Sequence, residues 1–511
     1  MKTKYILLCA AVAGGMLFPS CSDFLEEEVN PNALSPSLFW QSEEDIMKGL
    51  TSVYAALQPN VDWAVPYERY IVIDNYRSDE VRFRDDVTSW MSIASFTNES
   101  TNSVTVGEWQ NLYKGINYAN QCIDNIPNIP EEDESVKKAK KQGIAEARFL
   151  RAYFYYRLYL NFGEKVPIYL HELEGTEEEF YPPQAQPGEL VSLIETELSE
   201  IQPELPETYD EENKGRATRY AAAAILGKFY MFRGELDKAE AEFKKIIDKE
   251  NTLFGLMENW EDNFDGMHKN NKESIFEVQF TGNESGGHYE YNLFTVHLAP
   301  DACGGGYEEA YPTQWLFDLM KTDLTVDGEY STRLLNTIIF DDPNCRPFYY
   351  KDGESFSDYH KPGQFYWHKY VTWTEGMSSY WDTSFFNVPI VRYADILLLY
   401  AECLNDRGAT QEAIGYINKV RQRVNVPDLP LTMTKDEVLK HLQDKERPCE
   451  LALEGSRWYD LIRWGITEST LKAHNKPYIE NYVDTKHKLF PIPHSEFLLN
   501  PDWEQNPNFS K

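Results

Sequence analysis

Residues 216–248, RATRYAAAAILGKFYMFRGELDKAEAEFKKIID, decide the fold. Large, small and aromatic positions recur in them at the spacing of a tetratricopeptide helix pair: Leu226, Gly227 and Tyr230, then Ala239 and Phe243. Small Gly227 and Ala239 let two antiparallel helices approach, while Tyr230 and Phe243 fill the space around them. A second, approximate copy occupies residues 392–424, RYADILLLYAECLNDRGATQEAIGYINKVRQRV. There Tyr393, Ile396, Leu397, Tyr400, Ala401 and Leu404 form one stripe. One such match says little, but repeated helix pairs predict a mostly helical, solenoid-like scaffold.

Helical periodicity starts near Ser42 and extends on both sides of these copies. In residues 108–123, EWQNLYKGINYANQCI, the residues Trp109, Leu112, Tyr113, Ile116 and Ile123 share a face. Residues 145–163, AEARFLRAYFYYRLYLNFG, are apolar or aromatic nearly all round, which predicts a helix packed on several sides. Gly163 ends it, with Pro167 shortly after. From about 251 to 390 the texture changes to glycines, prolines and aromatics, with short strands predicted in ESIFEVQF (273–280) and QFYWHKYVTW (364–373). So long a stretch without helical periodicity is often functional. Helical texture returns over 391–465, and 466–511 reads as an extended segment crossing the surface. The expected class is mostly α: one domain over 37–511, with a helical scaffold at about 37–250 and 391–465 and an irregular binding region at about 251–390.

The N-terminus carries Lys2 and Lys4, an apolar run from Tyr5 to Phe18, and then Pro19-Ser20-Cys21. This is a signal peptide over 1–20. Its apolar run is too short for a retained membrane helix. Cys21 at the cut site reads as a lipobox cysteine carrying acyl chains, with residues 21–36 as anchor and tether. The alternative is an ordinary signal with an incidental cysteine. The formal net charge is −34, and removal of Lys2 and Lys4 with the signal makes it two lower. Such a surface excludes nucleic-acid binding and offers no polybasic patch to anionic lipid. Cys122, Cys303, Cys345, Cys403 and Cys449 remain, widely spaced and without a metal-ligand pattern. Cys122, Cys403 and Cys449 lie in helical patterns, where buried free thiols are expected.

Several blocks in fixed order resemble the SusD/RagB-like outer-membrane lipoproteins of the Bacteroidota. After Cys21 come FWQSEEDIMKGLTSVYAAL (39–57), EWQNLYKGINYANQCIDNIP (108–127) and AEARFLRAYFYYRLYLNFGEKVPI (145–168). VPIVRYADILLLYAECLN (388–405), KERPCELALEGSRWYDLIRWG (445–465) and FPIPHSEFLLNPDWEQNPNF (490–509) follow. The resemblance spans nearly the whole mature chain. It implies a tetratricopeptide-like scaffold with an irregular nutrient-capturing face. It also implies an outer-membrane location, lipid-anchored and facing the exterior, and a partner: a SusC-like TonB-dependent transporter that receives oligosaccharide bound but not cleaved. The acidic run Glu26-Glu27-Glu28 is either a solvated stretch or, by the same resemblance, part of a surface-export signal. Pro19 in the lipobox and Pro448 in the 446–455 block depart from the pattern; Pro448 is expected to kink or break its helix.

Sugars offer flat C–H faces edged by hydroxyls, so their sites need aromatic platforms with amide, carboxylate and guanidinium groups at the rim. Of 12 Trp and 33 Tyr, Trp40, Trp109, Trp458 and Trp464 sit at helical spacing and read as core. The platform candidates occupy irregular stretches: Trp63, Trp90, Tyr289, Tyr291, Tyr307, Trp373, Tyr380 and Trp381. In the family the stacking aromatics come from the loop after the early helices and from the irregular middle region, where Trp90, Tyr291, Tyr307 and the 373–381 group lie. A packed loop anchor is the competing reading for each. Asn75, Asp79, Arg82 and Asp301 are the polar candidates.

Glu446, Glu450 and Glu454 form an i, i+4 ridge interleaved with Arg447 and Arg457, a pattern typical of a structural ion network rather than a catalytic pair. No Gly-Lys-Ser/Thr follows the CGGG run at 303–306, and the histidines show no HExxH spacing. No catalytic residue, cofactor or metal is therefore expected, and no motif supports a loop-bound calcium. The competing functions are peptide capture, a transporter lid with little affinity of its own, and a helical-toroid glycoside hydrolase.

Overall fold

The computed structural model describes residues 39–58, 65–131, 133–173, 180–281, 292–299, 306–343, 355–371 and 386–511. Its scaffold is built from antiparallel helix pairs. Helix α1 (Glu43–Ala55) packs on α2 (Ser103–Asn125) and α3 (Glu134–Phe162). Asn102 caps α2 by accepting from the Val104 and Thr105 amides at 3.0 and 3.2 Å, and Asp133 caps α3 in the same way. Gly163 ends α3 with φ of +81°, a conformation that favours glycine.

Next come α4 (Glu189–Glu200), α5 (Arg219–Phe232) and α6 (Leu236–Ile247), followed after the irregular lobe by α7 (Tyr393–Asp406) and α8 (Thr410–Arg423). The α5/α6 pair is as close as its sequence requires. A Cβ at Gly227 would lie 2.4 Å from the Phe243 ring. Gly115 of α2 stands in the same relation, 2.5 Å, to Phe154 of α3. All six stripe residues of α7 are buried.

Among the described residues, six short strands make three two-stranded antiparallel ribbons. Strand β1 (Val81–Phe83) pairs with β3 (Ala310–Pro312), β2 (Ser274–Val278) with β6 (Val388–Arg392), and β4 (Ile338–Phe340) with β5 (Phe365–Trp367). Strands β2 and β5 fall within the two stretches where strands were predicted. Residues 466–511 are less extended than expected, with short helices at Thr467–Ala473, Asp484–His487 and His494–Leu499. This segment is tied to the scaffold by Asn506, whose amide donates to the Phe162 and Phe490 carbonyls at 2.9 and 2.7 Å.

A buried ion network joins the lobe to the helices. Arg392 donates to Glu273 at 2.7 Å, Glu450 at 2.6 Å and Glu454 at 2.7 Å. Arg333 binds Asp323, Glu446 and Glu450, and Arg421 binds Glu446 at 2.5 Å. The 446/450/454 ridge is thus fully engaged with cations. Burial alone would raise the Glu450 carboxyl, but Arg423, Arg392 and Arg333 hold it down at about 2.

Pro448 does not break its helix on entry. Helix α9 (Lys435–His441) runs through a π turn (Leu442–Glu446) into α10 (Arg447–Leu451), with Pro448 in its first turn. The wide turn removes the i−4 carbonyl from the proline ring and needs no amide there. Trp40, Trp109 and Trp458 are buried, whereas Trp464 is only half-buried and donates to Glu402 at 2.8 Å. Cys122, Cys403 and Cys449 are buried free thiols.

Candidate functional site

The irregular lobe meets solvent at the β1/β3 ribbon. Its register sets Arg82 opposite Tyr311, Val81 opposite Pro312 and Phe83 opposite Ala310. With a period of two, Val81, Ala310 and Pro312 are buried while Arg82 faces outward. The Arg82 guanidinium lies 4.5 Å over the Tyr311 ring and donates to Gln364 Oε1 at 3.1 Å. Tyr311 donates its hydroxyl to Glu308 at 3.0 Å, and Lys361 pairs with Glu308 at 2.8 Å. Burial, helped by the Glu308 carboxylate, pushes the Tyr311 phenol up, so it stays a neutral donor.

Arg82 forms no ion pair among the described residues. Neighbouring Arg84 pairs with Asp86 at 2.6 Å and Glu309 at 3.2 Å. The stacked Arg82–Tyr311 pair is therefore a rigid, exposed donor edge whose charge is not cancelled locally. Such an edge has the chemistry to donate to hydroxyl and ring oxygens.

The other expected residues are placed differently. Trp90 is 3% exposed, wedged at 5.2 Å from the Tyr67 ring, and its indole donates to Glu68 at 2.7 Å. A ring packed on all sides offers no platform, so Trp90 is a core residue. Asn75 is buried, bridging the Tyr70 carbonyl at 2.8 Å and the Gly455 amide at 3.0 Å. Asp79 is buried too, gripped by both Arg457 donors at 2.8 Å and by His474 Nδ1 at 2.7 Å. Burial favours its neutral form, but Arg457 and His474 overcome that and hold the carboxyl well below its ordinary range. Both polar candidates are structural ties.

Tyr307 is half-buried beneath the ribbon, its ring 5.5 Å from His297, and its carbonyl accepts from Arg84. Trp63, Tyr289, Tyr291, Asp301, Trp373, Tyr380 and Trp381 lie outside the described residues, as do Cys21 and the signal. Tyr311, Gln364 and the 41%-exposed Tyr478 beside Phe83 were missed. Only the alternation of a three-residue strand could have marked Tyr311.

Among the described residues one group has metal-ligand geometry: Asp262, Asp265 and His268. His268 Nδ1 lies 2.7 Å from Asp265 and 3.7 Å from Asp262. Asp265, then Asp262, raise the imidazole pKa. No described helix is long and apolar enough to cross a membrane.

Models of known families match both halves of the chain. Residues 272–509 match the SusD family, and residues 23–231 match a family described as starch-binding and associating with the outer membrane. The chain belongs to the SusD/RagB family. SusD-like protein P2 of Formosa agariphila is 25% identical over 525 residues, covering 99% of this chain and 98% of that one. A SusD superfamily protein from Bacteroides vulgatus has the same fold with a TM-score of 0.80 at 28% identity, over 92% of this chain and 99% of its own. A laminarin-binding SusD-like protein (TM-score 0.75, 24% identity) shares the fold over 92% of this chain and 100% of its own. So does surface glycan-binding protein A from Bacteroides thetaiotaomicron, solved with laminarihexaose (TM-score 0.74, 22% identity; 91% and 100%).

Proposed function

We propose that this SusD-like chain is a lipid-anchored receptor, facing the cell exterior, that captures oligosaccharide and passes it to a SusC-like TonB-dependent barrel. The observation that carries the reading is the exposed Arg82–Tyr311–Gln364 edge on the irregular lobe. It offers directed hydrogen bonds beside aromatic surface without a reactive group. Binding without cleavage is supported by the state of the Glu446/Glu450/Glu454 ridge, buried and locked by arginines where a hydrolase needs two carboxylates across an open cleft. The reading includes no resident cofactor or metal. Relatives named for laminarin and laminarihexaose make β-glucan the first ligand to try.

The test is native affinity electrophoresis of the chain starting after Cys21, against laminarin and a panel of plant, host and microbial polysaccharides. Retardation by a glycan without new reducing ends supports capture. Release of reducing ends would contradict it, and no retardation by any glycan would point to peptide capture or a lid role.

A further inference from the structure

A half-open cavity of about 90 Å³ lies among α3, α5, β6 and the 453–463 segment. It shares no lining residue with the Arg82 edge. Its walls are largely tyrosine: Tyr70, Tyr153, Tyr156, Tyr370 and Tyr459. The charged groups on the lining are already neutralised. Asp74 pairs with Arg157 at 2.8 Å, Lys228 with Asp395 at 2.5 Å, Arg447 with Asp460 at 2.7 Å, and Glu454 with Lys369 at 2.6 Å.

Three hydroxyls are not satisfied in this way. Tyr153, Tyr156 and Tyr370 are 3%, 6% and 2% exposed, and their hydroxyls have no hydrogen-bond partner among the described residues. Burial pushes all three phenols up, so they remain neutral donors and acceptors. Their oxygens are not sealed in the core but open onto the cavity, where water or a ligand can bind them. Two bulky wall residues also hold left-handed backbone, Tyr370 and Leu453, each with φ of 64°. Strain of this kind concentrates where a shape is being held.

We propose that the cavity is a second, internal carbohydrate subsite that takes the terminal ring of a neutral sugar edge-first. Paired charges leave nothing to attract an ion. Tyrosine faces suit C–H surface, and the three free hydroxyls suit ring hydroxyls. The volume equals about three waters at about 30 Å³ each, so one edge of a pyranose enters and the remainder stays in the mouth. The proposal does not rest on the Arg82 edge.

Saturation-transfer NMR and calorimetric titration of the full chain after Cys21 with the methyl glycosides of glucose, galactose and mannose test it. Saturable binding of at least one is expected. It should weaken about tenfold in the Tyr153→Phe/Tyr156→Phe double variant, which removes two hydrogen bonds and no packing. Tyr370→Phe gives a second, independent reading, and an unchanged melting temperature shows that either variant is folded. The proposal is overturned if no glycoside binds, leaving a water-filled chamber, or if neither Phe variant weakens binding.

Discussion

The helix-pair scaffold and the irregular lobe share one apolar core but differ in how regular their contacts are. In the scaffold, contact is apolar and local: Gly227 against Phe243, Gly115 against Phe154, stripes recurring every turn. Among the described residues the lobe shows three two-stranded ribbons, each marginal by itself. It is fastened to the helices by a shared apolar core, with Phe276 5.2 Å from Phe149, and by buried charge through Arg392, Arg333 and the 446/450/454 ridge. Apolar stripes specify a fold that many sequences can share. Fixed ion pairs allow a lobe to vary its surface while keeping one attachment.

The comparison breaks first at Arg392. Arg392→Met leaves Glu273, Glu450 and Glu454 without their shared cation and should cost about 5 kcal/mol, the upper end for a broken buried pair. Urea unfolding monitored by tryptophan fluorescence measures it, and a loss below about 1 kcal/mol would show the network to be dispensable. Trp90→Ala comes next at about 4 kcal/mol, the cost of a core aromatic. A platform role would instead leave stability unchanged and reduce only binding. Gly227→Ala forces a methyl into the Phe243 ring and should cost about 2 kcal/mol, read as a lower urea midpoint with the same slope.

Acid sharpens the same contrast. Glu450 is held at about 2 against an ordinary 4.5, and Glu446 and Asp460 are lowered as well. Below about pH 5 the unfolded chain binds more protons than the folded one at these sites. Their stabilisation is therefore complete above about pH 5 and is lost as pH falls toward 2. Melting temperature measured across that window should fall less steeply in Arg392→Met than in the parent chain.

The scaffold was legible because its signal is periodic. The Leu226–Phe243 spacing and the Tyr393–Leu404 stripe state which face is buried, and the structure buries it. The ridge of glutamates was legible as structural for a related reason, since arginines at neighbouring turns announce their partners. The site was less so. Trp90 lies on a seven-residue helix (Thr88–Ala94) and Asn75 and Asp79 just after a π-helical stretch, elements too short for a period that sorts inward from outward residues. Arg82, a polar candidate in the sequence, is exposed on β1. Tyr311 was hidden because a three-residue strand is too short to show alternation. Pro448 misled because a π turn, which leaves no clear sequence mark, absorbs it.

Arg82→Ala carries the smallest structural effect and the most information. Arg82 is exposed and has no ion pair among the described residues, so stability should change by less than about 0.5 kcal/mol. The decisive measurement is isothermal titration of whichever glycan retards the parent chain, comparing it with Arg82→Ala at equal melting temperature. The account predicts affinity reduced about tenfold, from loss of a charge-assisted hydrogen bond. Undiminished affinity in a folded Arg82→Ala protein would contradict the placement of glycan capture on this face.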